Sequence, residues 1–110
     1  MYTNNTIKGS LARLSYAIQN LEIISHEWSI PILRFLRSND SVDFIQLQHE
    51  TNLPPIILQK QIDALQEVGI VKISKEKNVR MYEMDHYKML RIQLMVKQLI
   101  DQPIQIYDNY

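Results

Sequence analysis

The sequence predicts a mainly α chain with one small β-hairpin, an α+β class, and three observations lead there. Apolar residues recur at helical spacing, three to four positions apart, along most of its length. Pro54-Pro55 and Gly69 bracket one such stretch as residues that open and close a helix do. Ile70 to Met84 is the β-rich exception, an alternating run broken at Glu76-Lys77-Asn78.

Each element can be justified in turn. Ile7, Leu11, Leu14, Ile18, Leu21, Ile24 and Trp28 follow steps of four and three, which predicts a first helix over Ser10 to Ser25 with a seam suited to a second helix. A second helix runs through Glu27 to Arg37. Pro31 is tolerated only in its first turn, so Ser29 or Ile30 is expected at its cap. Asp43 can cap a short third helix, closed by Thr51-Asn52, with Phe44, Leu47 and Ile45 facing inward. Pro54-Pro55 starts a fourth helix that Gly69 ends in a left-handed conformation. Val71 and Ile73 alternate with Lys72 and Lys75, a two-stranded hairpin pattern with a charged tip. A last helix from Asp85 to Asp101 carries Met89, Leu90, Ile92, Leu94, Met95, Val96, Leu99 and Ile100, more than one apolar stripe. Pro103 stops it, and Ile104, Ile106, Tyr107 and Tyr110 form an apolar tail.

A length of 110 residues gives room for one domain with one core. Twelve Lys and Arg balance twelve Asp and Glu, so any case for a nucleic-acid or membrane partner must rest on local patches. No apolar run approaches the roughly 18 residues of a membrane span. The polar stretch Met1 to Ser10 has no apolar signal core, and a cytoplasmic location in a bacterium or archaeon is expected. The absence of cysteine excludes disulfides, Cys-type zinc sites and thiol catalysis. With only Gly9 and Gly69 present, Gly-rich phosphate loops, nucleophile elbows and dinucleotide fingerprints cannot be written. No serine, histidine and aspartate spacing supplies an active site, so neither an enzyme nor a cofactor is expected. His26, His49 and His86 are too scattered for a metal site; each reads as a surface or capping residue.

Two helices joined by a few residues and followed by a basic hairpin make a winged helix-turn-helix plan. The expected layout of the single 1–110 domain is a dimerisation helix at 7–25, a winged-helix core at 26–84, a C-terminal helix at 85–101 and a tail at 102–110. Trp28-x3-Ile32-Leu33-Arg34-x-Leu36 resembles the tryptophan-led helix of HxlR-type regulators. Leu53-x4-Leu58-x3-Ile62-x2-Leu65-x3-Gly69-Ile70-Val71 is similar, without a gap, to the recognition helix and following strand that ArsR-type and HxlR-type regulators share. The hairpin ending Met81-Tyr82-Glu83-Met84-Asp85 resembles the shorter ArsR-type wing. The resemblance covers about residues 26 to 85 and implies a homodimeric DNA-binding transcriptional regulator, most naturally a repressor. Those families usually open the recognition helix with Ser, Thr, Gln or Lys; here Pro54, Pro55, Ile56 and Ile57 stand instead.

Winding the fourth helix at 3.6 residues per turn puts Leu58, Ile62 and Leu65 inward and Ile56, Lys60, Asp63 and Glu67 outward, with Gln59 and Gln61 on the flanks. The recognition-helix candidates for DNA contact are therefore Ile56, Gln59, Lys60 and Gln61: an aliphatic group meets a thymine methyl, Gln bonds adenine and Lys reaches guanine or phosphate. Asp63 and Glu67 would repel a nearby backbone. In the wing, Lys72, Lys75, Lys77 and Arg80 against Glu76 leave a local excess of three positive charges, and these cations with Asn78 are the expected phosphate contacts. Ile7, Leu11, Leu14, Ile18, Leu21, Leu90, Leu94 and Met95 are the expected dimer-interface residues. Two alternatives stand beside double-stranded DNA read by a homodimer: a protein partner docking on the fourth helix at Pro54 to Leu58, and a sequence-neutral architectural DNA binder that relies on the wing.

Overall fold

A computed structural model describes the backbone of residues 3–101 and the side chains of residues 12–98, 100 and 101. The elements are α1 (Thr3–Ser25), α2 (Ser29–Ser38), β1 (Val42–Asp43), α3 (Phe44–Thr51), α4 (Pro55–Glu67), β2 (Val71–Glu76), β3 (Val79–Met84) and α5 (His86–Asp101). The side chains of Ile7, Leu11 and Leu99, and the tail with Pro103, Ile104, Ile106, Tyr107 and Tyr110, lie outside the described residues.

Helix α1 starts seven residues before the expected Ser10. The polar run Thr3 to Thr6 resembles a start signal, but no proline interrupts it, and an interior glycine costs a helix only about 1 kcal/mol relative to alanine. The α2 cap also differs from expectation. Trp28 occupies it, and Ser29 is already helical. His26 supplies the acceptors at this junction: its carbonyl takes the Ser29 and Ile30 amides at 2.9 and 3.2 Å, and its Nδ1 takes the Trp28 amide at 3.1 Å. Pro31 is thereby third in the helix, within the first turn where no backbone donor is lost.

Asp43 caps α3 as expected, in a reciprocal box with Gln46. The Gln46 amide donates to Asp43 Oδ1 at 2.8 Å, and the Asp43 amide donates to Gln46 Oε1 at 2.9 Å. Leu47 is fully buried and Phe44 half-buried, whereas Ile45 is 76% exposed, a correction to its expected inward position. In an eight-residue helix the inward stripe is only one residue wide, and Ile45 falls beside it.

The hairpin gains a third strand, in the order β1-β3-β2, because Val42 pairs with Tyr82 and Asp43 with Met81. A two-residue strand is too short to leave a periodic signal. Strands β2 and β3 pair from Val71↔Met84 to Glu76↔Val79 around Lys77 and Asn78, both left-handed at φ 51° and 67°. That is the backbone of a type I′ turn, whose twist matches the strands it joins. Gly69, at φ 81°, makes the left-handed exit from α4 that the sequence predicted.

One apolar core unites α2 (Ile32, Leu33, Leu36), α4 (Leu58, Ile62, Leu65) and the sheet (Val42, Val71, Tyr82, Met84), with Ile92 of α5 added from one side. Helix α1 turns Ala17 and Asn20 toward the molecule and leaves Ile18 and Leu21 exposed. On α5, Leu90 and Leu94 are each 51% exposed. The radius of gyration, 17.3 Å, exceeds the roughly 13 Å of a compact chain this long, so the two outer helices extend beyond the core they flank.

Candidate nucleic-acid interface

Helices α3 and α4 are joined by Asn52, Leu53 and Pro54. Asn52 takes the left-handed conformation at φ 56°, and its amide donates to the Gln48 carbonyl at 2.8 Å, closing α3. Leu53 is half-buried against the core, which fixes where the chain turns into α4. Pro54 caps α4 and Pro55 is its first residue. Neither has an N–H, and the Leu58 amide already donates to the Pro54 carbonyl, so only the Ile56 and Ile57 amides remain to face an anion in this first turn.

The outer face of α4 is largely as wound. Ile56 is 83% exposed, Lys60 is exposed, and Asp63 and Glu67 follow on the solvent side. Gln59 is half-buried, and its Nε2 donates to Asp63 Oδ1 at 2.9 Å, which ties up one amide hydrogen and occupies one acidic oxygen. Gln61 corrects the sequence reading. It is buried, and its Nε2 donates to Ser29 Oγ at 2.6 Å across the α2–α4 contact. A residue one position off the Ile62 stripe has a neighbouring helix beside it, and this amide is committed to that neighbour rather than to a base edge.

The hairpin divides its cations by face. Because side chains alternate along a strand, Lys75 and Arg80, paired in register, share one face, while Lys72 lies on the other, opposite Glu83. Lys72 Nζ reaches Asp85 Oδ2 at 3.6 Å at the root of the wing, which separates it from the stripe it was expected to extend. Lys75, Lys77, Asn78 and Arg80 are exposed at the tip, and among the described residues none of these cations forms an ion pair. Like charges directly opposite each other destabilise a ladder.

Asp85 is a residue whose role the sequence reading missed, since the expected helix began with it. Its Oδ1 instead caps α5 by accepting the Lys88 amide at 3.0 Å, and its own amide donates to the Ile70 carbonyl at 2.8 Å. The Lys88 amide, followed by the charge of Lys72, holds its carboxyl below the ordinary value of 3.8. An aspartate directly before an amphipathic run is the signal that could have revealed this cap. The three histidines lie apart, at the α1–α2 junction, in the last turn of α3 and at the first residue of α5.

No family model and no curated protein matches the chain. Solved structures do. HlyU from Vibrio cholerae is 21% identical, with 93% of this chain and 100% of that one covered and a TM-score of 0.61. The transcriptional repressor BigR from Xylella fastidiosa is 15% identical over 88% of this chain and 97% of that one, at 0.63. Mb0332 from Mycobacterium bovis, a homodimeric winged helix-turn-helix DNA-binding domain of a possible ArsR-family transcriptional regulator, is 15% identical over 92% and 94%, at 0.66. The helix pair, the left-handed exit at Gly69, the I′ hairpin and these likenesses together establish that the chain has the winged helix-turn-helix fold.

Proposed function

We propose that this chain is a homodimeric DNA-binding transcriptional regulator that acts as a repressor. The observation that carries the reading is the cross-strand pair Lys75 and Arg80, two exposed cations without an acid partner among the described residues, on a hairpin that packs beside α4. Such a pair costs stability by itself and is relieved by an external anion, and DNA offers a surface of phosphates. In this reading Lys75, Lys77, Asn78 and Arg80 hold the backbone, and Ile56, Gln59 and Lys60 meet base edges in the major groove. The exposed Ile18 and Leu21 of α1 and Leu90 and Leu94 of α5, with Leu14 and Met95 beside them, form the dimer face. The likeness to a repressor and to a homodimeric DNA-binding domain supports the reading. Among the described residues no helix is long and apolar enough to cross a membrane. As a regulator of transcription the chain acts in the cytoplasm of a bacterial or archaeal cell.

Selection from a random duplex library at about 100 mM salt tests it, since specific binding survives there. A two-fold symmetric motif with half-sites about one helical turn apart is the expected result. Retention without any enriched motif points to architectural binding. Failure to retain DNA overturns the reading and leaves Ile56 as the anchor for a protein partner.

A further inference from the structure

A groove between α2 and α5 sets two core side chains, Leu33 and Met84, below cations that the DNA surface does not use. It encloses about 420 Å³, within the roughly 300 to 1,000 Å³ of small-molecule sites. Its floor is apolar: Leu33 and Met84 are buried and Met89 half-buried. Its rim carries Arg34 and Arg37, exposed on α2, and His86 at the start of α5, beside the exposed Ile30 and Leu90, the latter also part of the proposed dimer face. The two arginines stand three apart on one helix face, where like charges repel, and among the described residues neither forms an ion pair. Guanidinium groups are forked donors suited to a carboxylate, and methionine adapts its shape to an irregular hydrocarbon. Gln93 is the one amide side chain on the lining, which carries no hydroxyl, so a sugar or base would leave its own polar groups unpaired.

We propose that this groove binds a small apolar monocarboxylate, its head held by Arg34 and Arg37 and its hydrocarbon body lying over Leu33, Met84 and Met89. The site stands independently of the DNA reading. Where that reading also holds, the ligand acts as an effector, because it bridges α2 to α5 next to Met84, and the following residue, Asp85, ties α5 to Lys72 at the root of the wing.

Titration calorimetry on the full chain with submillimolar decanoate, and with the neutral decanol, tests the proposal. The expected result is saturable binding of one decanoate per chain. Arg34→Gln combined with Arg37→Gln should weaken it at least about tenfold, the effect of removing one charge-assisted hydrogen bond, and decanol should bind wild type correspondingly worse. Both arginines are exposed, so the variant keeps its fold, which circular dichroism verifies; Arg34→Gln alone provides a milder second variant. Absence of saturable heat overturns the proposal, as does equal binding by decanol or by the double variant. If decanoate fails to bind while the arginine variant lowers self-association in sedimentation, the groove holds a second copy of the chain and the ligand reading falls.

Discussion

Gln59 and Gln61 sit two residues apart on α4 and have opposite environments. The Gln61 amide is buried against Ser29 Oγ, while Gln59 reaches only Asp63 at the surface. Gln61→Ala should therefore lower stability by about 1 to 3 kcal/mol, the range for a buried hydrogen bond broken on one side, and leave the sequence preference of any bound DNA unchanged. Gln59→Ala should do the reverse, costing about 1 to 3 kcal/mol at the preferred site and little in thermal stability. Chemical denaturation and binding titrations on the two variants distinguish the roles; a stability loss confined to Gln59→Ala would reverse them. Asp85 makes a pH-dependent prediction. Its carboxyl is held below 3.8 in the folded chain, so its stabilisation is fully present above that value and is lost as pH falls through the lower, folded one. Melting curves should separate wild type from Asp85→Ala at neutral pH and bring them together as pH drops below 3.8. A gap that stays constant as the pH is taken further below 3.8 would mean the carboxylate charge contributes nothing.

At the scale of the element, the wing trades stability for charge. Its I′ turn and ladder would form without Lys75 and Arg80, and that pair opposes hairpin formation by up to about 1 kcal/mol. Replacing both by alanine should leave the melting temperature unchanged or slightly raised while weakening binding to every DNA sequence. The log–log salt dependence should fall by roughly 0.9 for each phosphate that is no longer neutralised. A binding defect confined to one sequence would place these residues on bases instead. Lys72→Ala should behave differently, destabilising the wing root through Asp85 with a smaller change in salt slope.

At the scale of the molecule, much of the apolar surface that the core leaves uncovered among the described residues lies on the two outer helices. Ile18, Leu21, Leu90 and Leu94 are exposed in the single chain, and α1 packs against α5, so their faces adjoin. Covering such faces with a second copy would give an obligate-type interface, commonly upward of about 2,000 Å². Sedimentation at low micromolar concentration should yield a species of twice the chain mass. Leu90→Asp with Leu94→Asp should convert it to a folded monomer, because neither residue belongs to the core of its own chain. A wild-type monomer at that concentration would count against the dimer, and with it the paired reading of half-sites.

The elements with strong local chemistry were legible in the sequence: the Asp43 cap, proline and glycine around α4, the Leu58, Ile62 and Leu65 stripe, and the alternating hairpin. Each depends on backbone sterics or on periodicity within a few residues, and no distant partner is needed to specify it. What the sequence left unread depends on neighbours far along the chain. Strand β1 exists because Tyr82 presents a paired edge to Val42, Gln61 turns inward because Ser29 faces it 32 residues away, and Lys72 leaves the cationic stripe because Asp85 stands within reach. The groove below Arg34 and Arg37 is of the same kind, since its walls come from separate helices and the end of β3. Local periodicity says which face of an element is apolar; only the packed chain decides what that face, and each polar group at its margin, will meet.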